Sequence, residues 1–386
     1  MDNSKQYKVA LVLYTAGLDY DDRVRKEILS IMNLYPNVSF KIFAVDVNNR
    51  EEDGVTAYGI PYRIPYLKSR DKYKSGTHTL AKAWDFYKTI KDNLKQYDAI
   101  WCADIETFIF VLLTRKKRIV WDLHELPSPF LKNVMMKFLF KLLESRCNVM
   151  IHANEQRLNY LVDKGFIRNK KRQYVLRNYP QLNEIDADYD DTYCLFDSWV
   201  GDSKCVYLQG INAPQRADVE SIDAVLSVKG LKGVVVGYTR PELYDILREK
   251  YSENELNERL FFTGRVKQLK TPQYIKKCVM GLVFYKHTSM NNWYCEANRF
   301  FQNIINGNPV VVGQNPSLKD TVEEYQLGVV AETDGSDTTA IKKAIRKLLS
   351  NYSLYKRNVE ACHNEWLWDQ QNQTIKQIVD KLFEGK

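Results

Sequence analysis

The sequence predicts an α/β protein with two Rossmann-like domains, each built on a parallel sheet, facing a cleft. The chain has 386 residues, more than one hydrophobic core usually organises. Short apolar runs alternate with amphipathic helical segments, which is typical of a parallel sheet covered by helices. The alternation stops near residue 180 and restarts near residue 204, which indicates a second unit of the same kind.

The first half supplies the elements of the first domain. The apolar run from Val9 to Tyr14 predicts a strand buried on both faces. An amphipathic helix is predicted from about Asp22 to Leu34, because its apolar residues recur along one face. Further strands are predicted at residues 40–45, 97–102, 118–121 and 148–153.

The second half repeats this pattern. Strands are predicted at residues 204–208, 233–237, 260–262, 280–285 and 309–312, with helical segments between them. The acidic stretch from Tyr179 to Asp202, broken by Pro180, is interpreted as an interdomain connection, although a surface loop inside one domain fits too. The predicted boundaries are an N-terminal domain at 1–180, a linker at 181–203, a C-terminal domain at 204–364, and a last helical segment at 365–386.

Composition narrows the class of protein. Hydrophobic residues make up 45% and charged residues 27%, as in ordinary globular proteins. The net charge of +8 fits either a solvated surface or attraction to polyanions such as nucleoside diphosphates and anionic lipids. Nucleic acid is not expected as a partner, because no zinc-finger spacing or RNA-binding signature occurs. Seven widely spaced cysteines without a C-x-x-C pair indicate reduced thiols in the cytoplasm.

One apolar segment raises the question of membrane contact. Phe130 to Cys147 is shorter than the ~20 residues that a membrane span needs, and it contains three lysines. A helix from Phe130 to Arg146 would carry one polar stripe on a broadly apolar surface. Burial between the sheet and its neighbours is one interpretation, and peripheral contact with anionic lipid at the inner face of the membrane is the other. The N-terminus does not resemble a signal peptide.

Two segments of the first half contain candidate catalytic or ligand-binding residues. His124 and Glu125 follow the predicted strand that ends at Trp121, and the carboxyl ends of parallel strands line the ligand site in such sheets. A histidine there can donate to or accept from a hydroxyl near neutral pH, although capping of the next loop is an equal alternative. Gly17, in the loop after the first strand, permits close approach of the backbone to a ligand.

Two segments of the second half are candidates for anion binding. Gly210 ends a predicted strand, and Arg216 follows near a helix start, an arrangement that can hold a diphosphate. A helix predicted from Asn298 to Gly307 places Asn298 and Arg299 in its first turn, where backbone N–H groups and a guanidinium can meet a phosphate. Gln302 can reach a ribose hydroxyl. An ordinary helix–strand unit is the alternative interpretation.

Together and in this order, these segments resemble the GT-B glycosyltransferases of the large, mostly retaining, bacterial group. The most specific match is Asn298 to Gln302 followed by Gly307 to Val310, which resembles the signature N-K-x-x-E…G-x-P-V. In the first half, Asp22 to Glu27 resembles the first helix of that group, Asp122 to Glu125 resembles its D-x-H-E segment, and Asn178 to Pro180 resembles its N-x-P. In the second half, Tyr207 to Arg216 resembles the segment that binds the donor diphosphate, and Phe262 to Val266 resembles the strand that meets the base. Trp368-Asp369 resembles the W-[DE] of the final helix.

The resemblance implies that a nucleotide-sugar donor, as co-substrate without another cofactor, gives its sugar to a glycan or lipid-linked acceptor in cell-surface polysaccharide assembly. The N-terminal domain would bind the acceptor, and the final helix would pack back on it. His124 and Glu125 would be catalytic. The donor-binding residues would be Gly17, Gly210, Arg216, Gly264, Arg265, Val266, Asn298, Arg299 and Gln302. No metal is expected, because no D-x-D pair lies between strands.

The sequence departs from that group at important positions. Gln302 stands where the group has a glutamate, Tyr294 stands where it often has another acid, and Arg299 replaces a lysine. A non-catalytic nucleotide-sugar-binding protein is therefore an alternative. A sugar-nucleotide epimerase is another, because the same two-domain fold hosts that chemistry.

Overall fold

The computed structural model describes residues 4–14, 18, 22–74, 76–114, 117–181, 191–267 and 270–384. The chain divides into two compact units. Unit 1 comprises Met1–Arg177 and Gln371–Lys386, and unit 2 comprises Asn178–Gln370. Gly17, a predicted donor contact, lies outside the described residues.

Unit 1 is built on a mainly parallel sheet. Its strands run in the order β3-β4-β2-β1-β5-β6-β7-β8, and only the β3–β4 pair is antiparallel. The described strands are β1 (Tyr7–Leu13), β2 (Val38–Phe43), β3 (Glu52–Val55), β4 (Pro61–Ile64), β5 (Ala99–Ala103), β6 (Arg118–Leu123), β7 (Val149–His152) and β8 (Gln173–Val175). The central strands are apolar because helices cover them on both faces.

Helices flank this sheet and give unit 1 its core. They are α1 (Asp22–Leu34), α2 (Lys68–Lys72), α3 (Thr79–Ile90), α4 (Phe108–Leu113), α5 (Val134–Arg146), α6 (Glu155–Asp163) and α17 (Asn372–Phe383). Helix α17 comes from the end of the chain and contacts α1, β6, β7 and β8, with Phe383 against Tyr7 at 4.3 Å between ring centroids. Among the described residues, no helix is long and apolar enough to cross a membrane.

Unit 2 has a fully parallel sheet in the order β11-β10-β9-β12-β13-β14. Its described strands are β9 (Lys204–Gln209), β10 (Leu231–Val236), β11 (Leu260–Gly264), β12 (Met280–Val283), β13 (Val310–Val312) and β14 (Gly328–Val330). Its described helices are α7 (Asp191–Val200), α8 (Asp218–Leu226), α9 (Pro241–Lys250), α10 (Glu253–Arg259), α11 (Thr271–Lys276), α12 (Met290–Trp293), α13 (Asn298–Ile305), α14 (Pro316–Tyr325), α15 (Thr338–Ser350) and α16 (Tyr352–Cys362).

The two-unit α/β architecture with parallel sheets, as predicted from the alternation of elements, is confirmed. The strands β3, β4, β8 and β14 were not predicted. They are three or four residues long, and β3, β4 and β8 lie toward the outer edges of the sheet, so their sequences lack a long apolar run.

Helix α7 differs from the prediction, which placed its residues in the linker. Tyr193, Phe196 and Val200 recur on one face of α7 and are buried in the core of unit 2, in a cluster with Tyr207 and Tyr274. These residues have helical spacing, but the acidic stretch and Pro180 before them dominate the local composition. Only residues 182–190 of the predicted linker remain outside the described structure, while the helix is part of unit 2.

Candidate functional site

The strand order of unit 2 reverses at β9, since β10 lies on one side of it and β12 on the other. In open parallel sheets, ligands bind outside the carboxyl ends of the strands at such a point. Gly210 follows β9 there and Tyr285 follows β12. The candidate site is therefore built from the loops after these two strands.

Arg216 and Arg299 converge at this point. Arg216 donates from Nη1 to the carbonyl oxygen of Gly210 at 2.8 Å. Arg299, in the first turn of α13, donates to the carbonyl oxygens of Gln209 and Phe284, the latter at 3.0 Å. The guanidinium carbons lie 5.8 Å (Arg216) and 4.9 Å (Arg299) from the centroid of the Tyr285 ring. Backbone carbonyls at the ends of the strands thus orient both cations.

Arg216 and Arg299 have no acidic partner within the described ranges of the chain. Among the residues that the structure describes, no carboxylate forms a salt bridge with Arg216 or Arg299, and Nε of Arg299 is buried without a hydrogen-bond partner. Burial, with a smaller contribution from Arg216, lowers the pKa of Arg299. Two adjacent cations of this kind can attract a dianion such as a diphosphate.

The start of α13 adds to this positive site. Its N-cap is Ala297, whose side chain cannot accept from the first N–H groups of the helix. The N–H of Phe300 donates to the carbonyl of Ala297 at 2.9 Å, so the two N–H groups before it and the helix dipole can interact with an anion. Asn298, half-buried, is the first helical residue. Gln302 lies one turn after Arg299 and is 6% exposed, and its Oε1 has no hydrogen-bond partner in the described structure.

Three glycines with positive φ end neighbouring strands at this edge. Gly210, Gly237 and Gly264 have φ values of 61°, 109° and 66°. The N–H of Gly237 donates to the carbonyl of Gly264 at 2.9 Å, and that of Gly210 donates to Val236 at 3.1 Å. A Cβ on Gly210 would lie 3.2 Å from Nη1 of Arg216 and 3.8 Å from Nη1 of Arg299. Glycine at 210 therefore allows the two cations to close on the backbone.

The residues after Gly264 lie farther along the same edge. Arg265 is exposed, and its guanidinium lies 5.8 Å from the ring centroid of Tyr238, which is 49% exposed. Val266 is half-buried and packs against the cluster that includes Tyr207 and Val236. A partly exposed ring and guanidinium at this edge offer a stacking surface for a planar group.

The carboxyl edge of the sheet in unit 1 carries a buried charge network. Asp122, at the end of β6, is fully buried and accepts from Nε and Nη2 of Arg23 at 3.1 and 2.8 Å. Nε2 of His124 lies 2.8 Å from Oδ2 of Asp122. Arg23 also forms an ion pair with Glu27 at 3.0 Å and donates to the carbonyl of Leu176 at 2.7 Å. The first helix and the loop after β6 are thereby locked together.

This network decides the protonation state of His124. Burial opposes the charged imidazolium, but the attraction to Asp122 outweighs it and raises the pKa of His124 to about 9. Despite its burial, Asp122 keeps a pKa well below its usual range because Arg23 and His124 stabilise its charge. Burial, reinforced by Asp122, raises the pKa of Glu27 well above its ordinary value. Near pH 7, His124 is therefore a cation that donates hydrogen bonds and does not accept protons.

Nδ1 of His124 has no hydrogen-bond partner among the described residues, since the nearest carboxylate oxygen, Oδ2 of Asp104, is 3.7 Å away. Asp104 follows β5 with a φ of 67°, and burial raises its pKa. Glu125 is exposed beside His124. An N–H donor and two carboxyl groups thus meet at the edge where the strands of unit 1 end.

The structure brings together Gly210, Arg216 and Arg299 in unit 2, and Gln302 follows one turn after Arg299 on α13. In unit 1, His124 and Glu125 are consecutive residues after β6. Gly237, Tyr238 and Tyr285 were missed as site residues. The sequence contained a signal for Gly237, because this glycine ends a strand in the same way as Gly210 and Gly264. In the parts of the chain that the structure describes, no group of three His, Cys, Asp or Glu side chains could hold a metal ion.

Solved structures share this arrangement of elements along almost the whole chain. Sucrose-phosphate synthase from Thermosynechococcus elongatus has a TM-score of 0.77 at 14% identity, covering 98% of this chain and 99% of that one. Anabaena HepE in complex with UDP and glucose has a TM-score of 0.72 at 14% identity, covering 97% and 100%. A UDP-forming α,α-trehalose-phosphate synthase from Burkholderia vietnamiensis has a TM-score of 0.71 at 9% identity, covering 97% and 99%.

The fold is GT-B. No protein-family model matches the chain, and no curated protein matches it in sequence. At identities this low, the GT-B fold is what the likeness establishes, while the chemistry has to be argued from the residues at the carboxyl edges of the two sheets.

Proposed function

We propose that the protein is a glycosyltransferase that takes a sugar from a nucleoside diphosphate sugar, with UDP as the nucleotide. The observation that carries the proposal is the pair of guanidinium groups of Arg216 and Arg299, which backbone carbonyls hold and which no carboxylate of the described residues contacts. HepE was solved with UDP, and the trehalose-phosphate synthase is UDP-forming, which supports a uridine donor on the same fold.

The donor would bind with its diphosphate between Arg216, Arg299 and the first turn of α13. Gln302 would accept from a ribose hydroxyl through its buried Oε1. The base would lie toward Gly264, Arg265 and Val266, where Tyr238 offers a ring. The proposed path of the donor, from diphosphate to base, runs along the sheet edge past the neighbouring strands that end at Gly210, Gly237 and Gly264.

In the reaction, the bond between the anomeric carbon and the diphosphate oxygen breaks, and the diphosphate leaves with the electron pair. The acceptor oxygen bonds to the same carbon, and its proton passes to the departing diphosphate oxygen. Negative charge grows on the diphosphate, and Arg216 and Arg299 stabilise it without reorganisation because the fold already orients them. No metal is required in this proposal, since guanidinium groups and helix N–H groups supply the positive charge.

His124 would donate from Nδ1 to a sugar hydroxyl as an imidazolium, since its pKa of about 9 prevents it from acting as a base near pH 7. Glu125, exposed beside it, would contact the acceptor, which we propose to be a glycan or a lipid-linked sugar in cell-surface polysaccharide assembly. The seven cysteines form no disulfide bond in the described structure, which supports a cytoplasmic location.

The test uses the full chain with UDP-glucose and other UDP-sugars. We expect calorimetry to detect UDP binding, and UDP to be released when a mixture of bacterial glycans or lipid-linked sugars is added. Conversion of free donor to another UDP-sugar without UDP release would make the protein an epimerase. UDP binding without turnover across the acceptors would make it a binding protein, a result that Gln302 in place of an acid would then explain.

A further inference from the structure

Helix α5 exposes a stripe of large apolar side chains to solvent. Val134, Met135, Phe138 and Leu142 are 84%, 73%, 67% and 41% exposed. Residues 134, 138 and 142 follow each other at one-turn intervals, so they lie on one side of the helix. The other side is buried, with Phe140 against Trp121 in the core. The helix thus has an inner apolar face and a separate outer one.

A second exposed stripe lies in the same helical layer. Leu80 and Trp84, one turn apart on α3, are 67% and 46% exposed. Helix α4 contacts both α3 and α5, so the three helices form one continuous layer on the sheet of unit 1. Large apolar side chains exposed at several places in one helical layer indicate an interaction surface.

Basic residues predominate on α5 and on the segment that runs beside it. Within residues 132–146 and 163–172, every charged side chain except Glu144 and Asp163 is Lys or Arg. Residues 163–172 run beside α5, since Lys137 donates to the carbonyl of Lys164 and Arg172 donates to that of Cys147 at 3.1 Å. Glu144 is buried and accepts from the N–H of Asn169 at 3.0 Å, so its charge does not face solvent. The rim of the apolar stripe is therefore strongly positive.

We infer that the outer face of α5, with its basic rim, docks on a bilayer that contains anionic lipid. Apolar and aromatic side chains enter the boundary between headgroups and acyl chains, while Lys and Arg stay at the level of the phosphates. Each basic side chain near such a surface gains electrostatic attraction. A second copy of this chain is a poor occupant, because a two-fold contact would bring the same basic rim against itself.

This inference goes beyond the proposed function, because it concerns where the enzyme works and does not depend on the donor site. A protein held flat on the membrane by α5 would meet acceptors that are anchored in that membrane. The contact is peripheral, in keeping with the finding that no described helix is suited to span a bilayer.

The experiment is flotation of the full chain with vesicles of equal parts phosphatidylcholine and phosphatidylglycerol, against vesicles of phosphatidylcholine alone. We expect binding to the anionic vesicles and a weakening of about tenfold in the double variant Met135→Ser/Phe138→Ser. The charge variant Lys170→Glu/Lys171→Glu should weaken binding similarly, and added salt should do the same. The control is Leu195→Ser on α7, which removes an equally exposed (65%) leucine and should bind normally.

Wild-type protein that stays unbound on anionic vesicles would overturn the inference. An equal loss in Leu195→Ser and in the α5 variant would do so too. If the α5 variant instead converts a dimer into a monomer on size exclusion and still floats with vesicles, the surface is a protein interface. Thermal unfolding and UDP calorimetry of each variant show that the fold and donor site are intact. Failure of glycosyl transfer would leave vesicle binding unaffected, so the two proposals fail separately.

Discussion

Arg216 and Arg299 hold their guanidinium groups 5.8 and 4.9 Å from the centroid of the same ring, that of Tyr285. The repulsion between two such cations disfavours this arrangement until an anion binds between them. The pair therefore predicts that a diphosphate stabilises the folded protein, since a ligand that binds the native state raises its melting temperature.

Replacing either arginine should weaken UDP binding. A hydrogen bond to a charged group contributes about 1.5–3 kcal/mol, so Arg216→Ala and Arg299→Ala should each raise the dissociation constant about 10- to 100-fold. Calorimetry with UDP and with pyrophosphate measures the loss. Arg248→Ala is the matched control, because Arg248 is exposed in the last turn of α9 and is not part of the loops that form the proposed site. Unchanged affinity in both site variants would remove the arginines from donor binding.

Gly210→Ala should strain the backbone and, in addition, weaken diphosphate binding. Its φ of 61° costs an alanine about 1–2 kcal/mol, and the new Cβ would lie 3.2 Å from Nη1 of Arg216. We expect lower stability in urea unfolding together with weaker UDP binding. Gly230→Ala has similar strain at a φ of 76° but no atom within 4 Å, so it should lose stability and keep UDP affinity. Equal UDP affinity in the two variants would contradict the role of Gly210.

Gln302→Leu should separate ribose from phosphate recognition. The leucine removes Oε1, which we propose accepts from the ribose, but leaves both guanidinium groups in place. We expect UDP to bind about fivefold more weakly while pyrophosphate binds as before, since one hydrogen bond is worth about 1 kcal/mol. Arg299→Ala should weaken both ligands and is the internal comparison. Equal losses of affinity for UDP and pyrophosphate in Gln302→Leu would contradict a contact between Gln302 and the ribose.

His124 should make stability depend on alkaline pH. Its pKa rises from 6.5 to about 9 on folding, so the stabilisation is complete below pH 6.5 and is lost as pH rises through 9. The difference corresponds to up to about 3 kcal/mol. Urea unfolding of wild type and His124→Gln at several pH values should show this loss in wild type alone. His152→Gln should keep the wild-type slope, because burial lowers the pKa of His152 to about 4. Parallel curves for wild type and His124→Gln would contradict the charged state.

UDP release from UDP-sugar should continue in EDTA. The reason is that Arg216, Arg299 and the start of α13 supply the positive charge that faces the leaving diphosphate. Turnover measured with EDTA and then with added Mg²⁺ or Mn²⁺ tests this. Activity that disappears in EDTA and returns only with a divalent ion would show that a metal ion is needed to stabilise the leaving diphosphate.

Much of the fold could be predicted from local pattern. The run from Val9 to Leu13 is apolar because β1 is buried on both faces, and α1 spans Asp22–Leu34 as its periodicity indicated. The prediction from local pattern failed where the composition of the neighbouring sequence was misleading. Helix α7 was hidden by the acidic stretch before it, although Tyr193 and Phe196 have helical spacing. The three-residue strand β14 carries too little sequence to produce a periodic signal.

The sequence by itself determined the two α/β units, and it placed Arg216 and Arg299 near strand and helix ends. Only the tertiary structure decided that both guanidinium groups meet at Tyr285, because parallel pairing and strand order bring distant loops to one edge of a sheet. It also decided that His124 is a cation, since that depends on its distance from Asp122 within the buried network with Arg23. Electrostatic and steric interactions depend on distances in space, and the linear spacing of residues does not contain those distances.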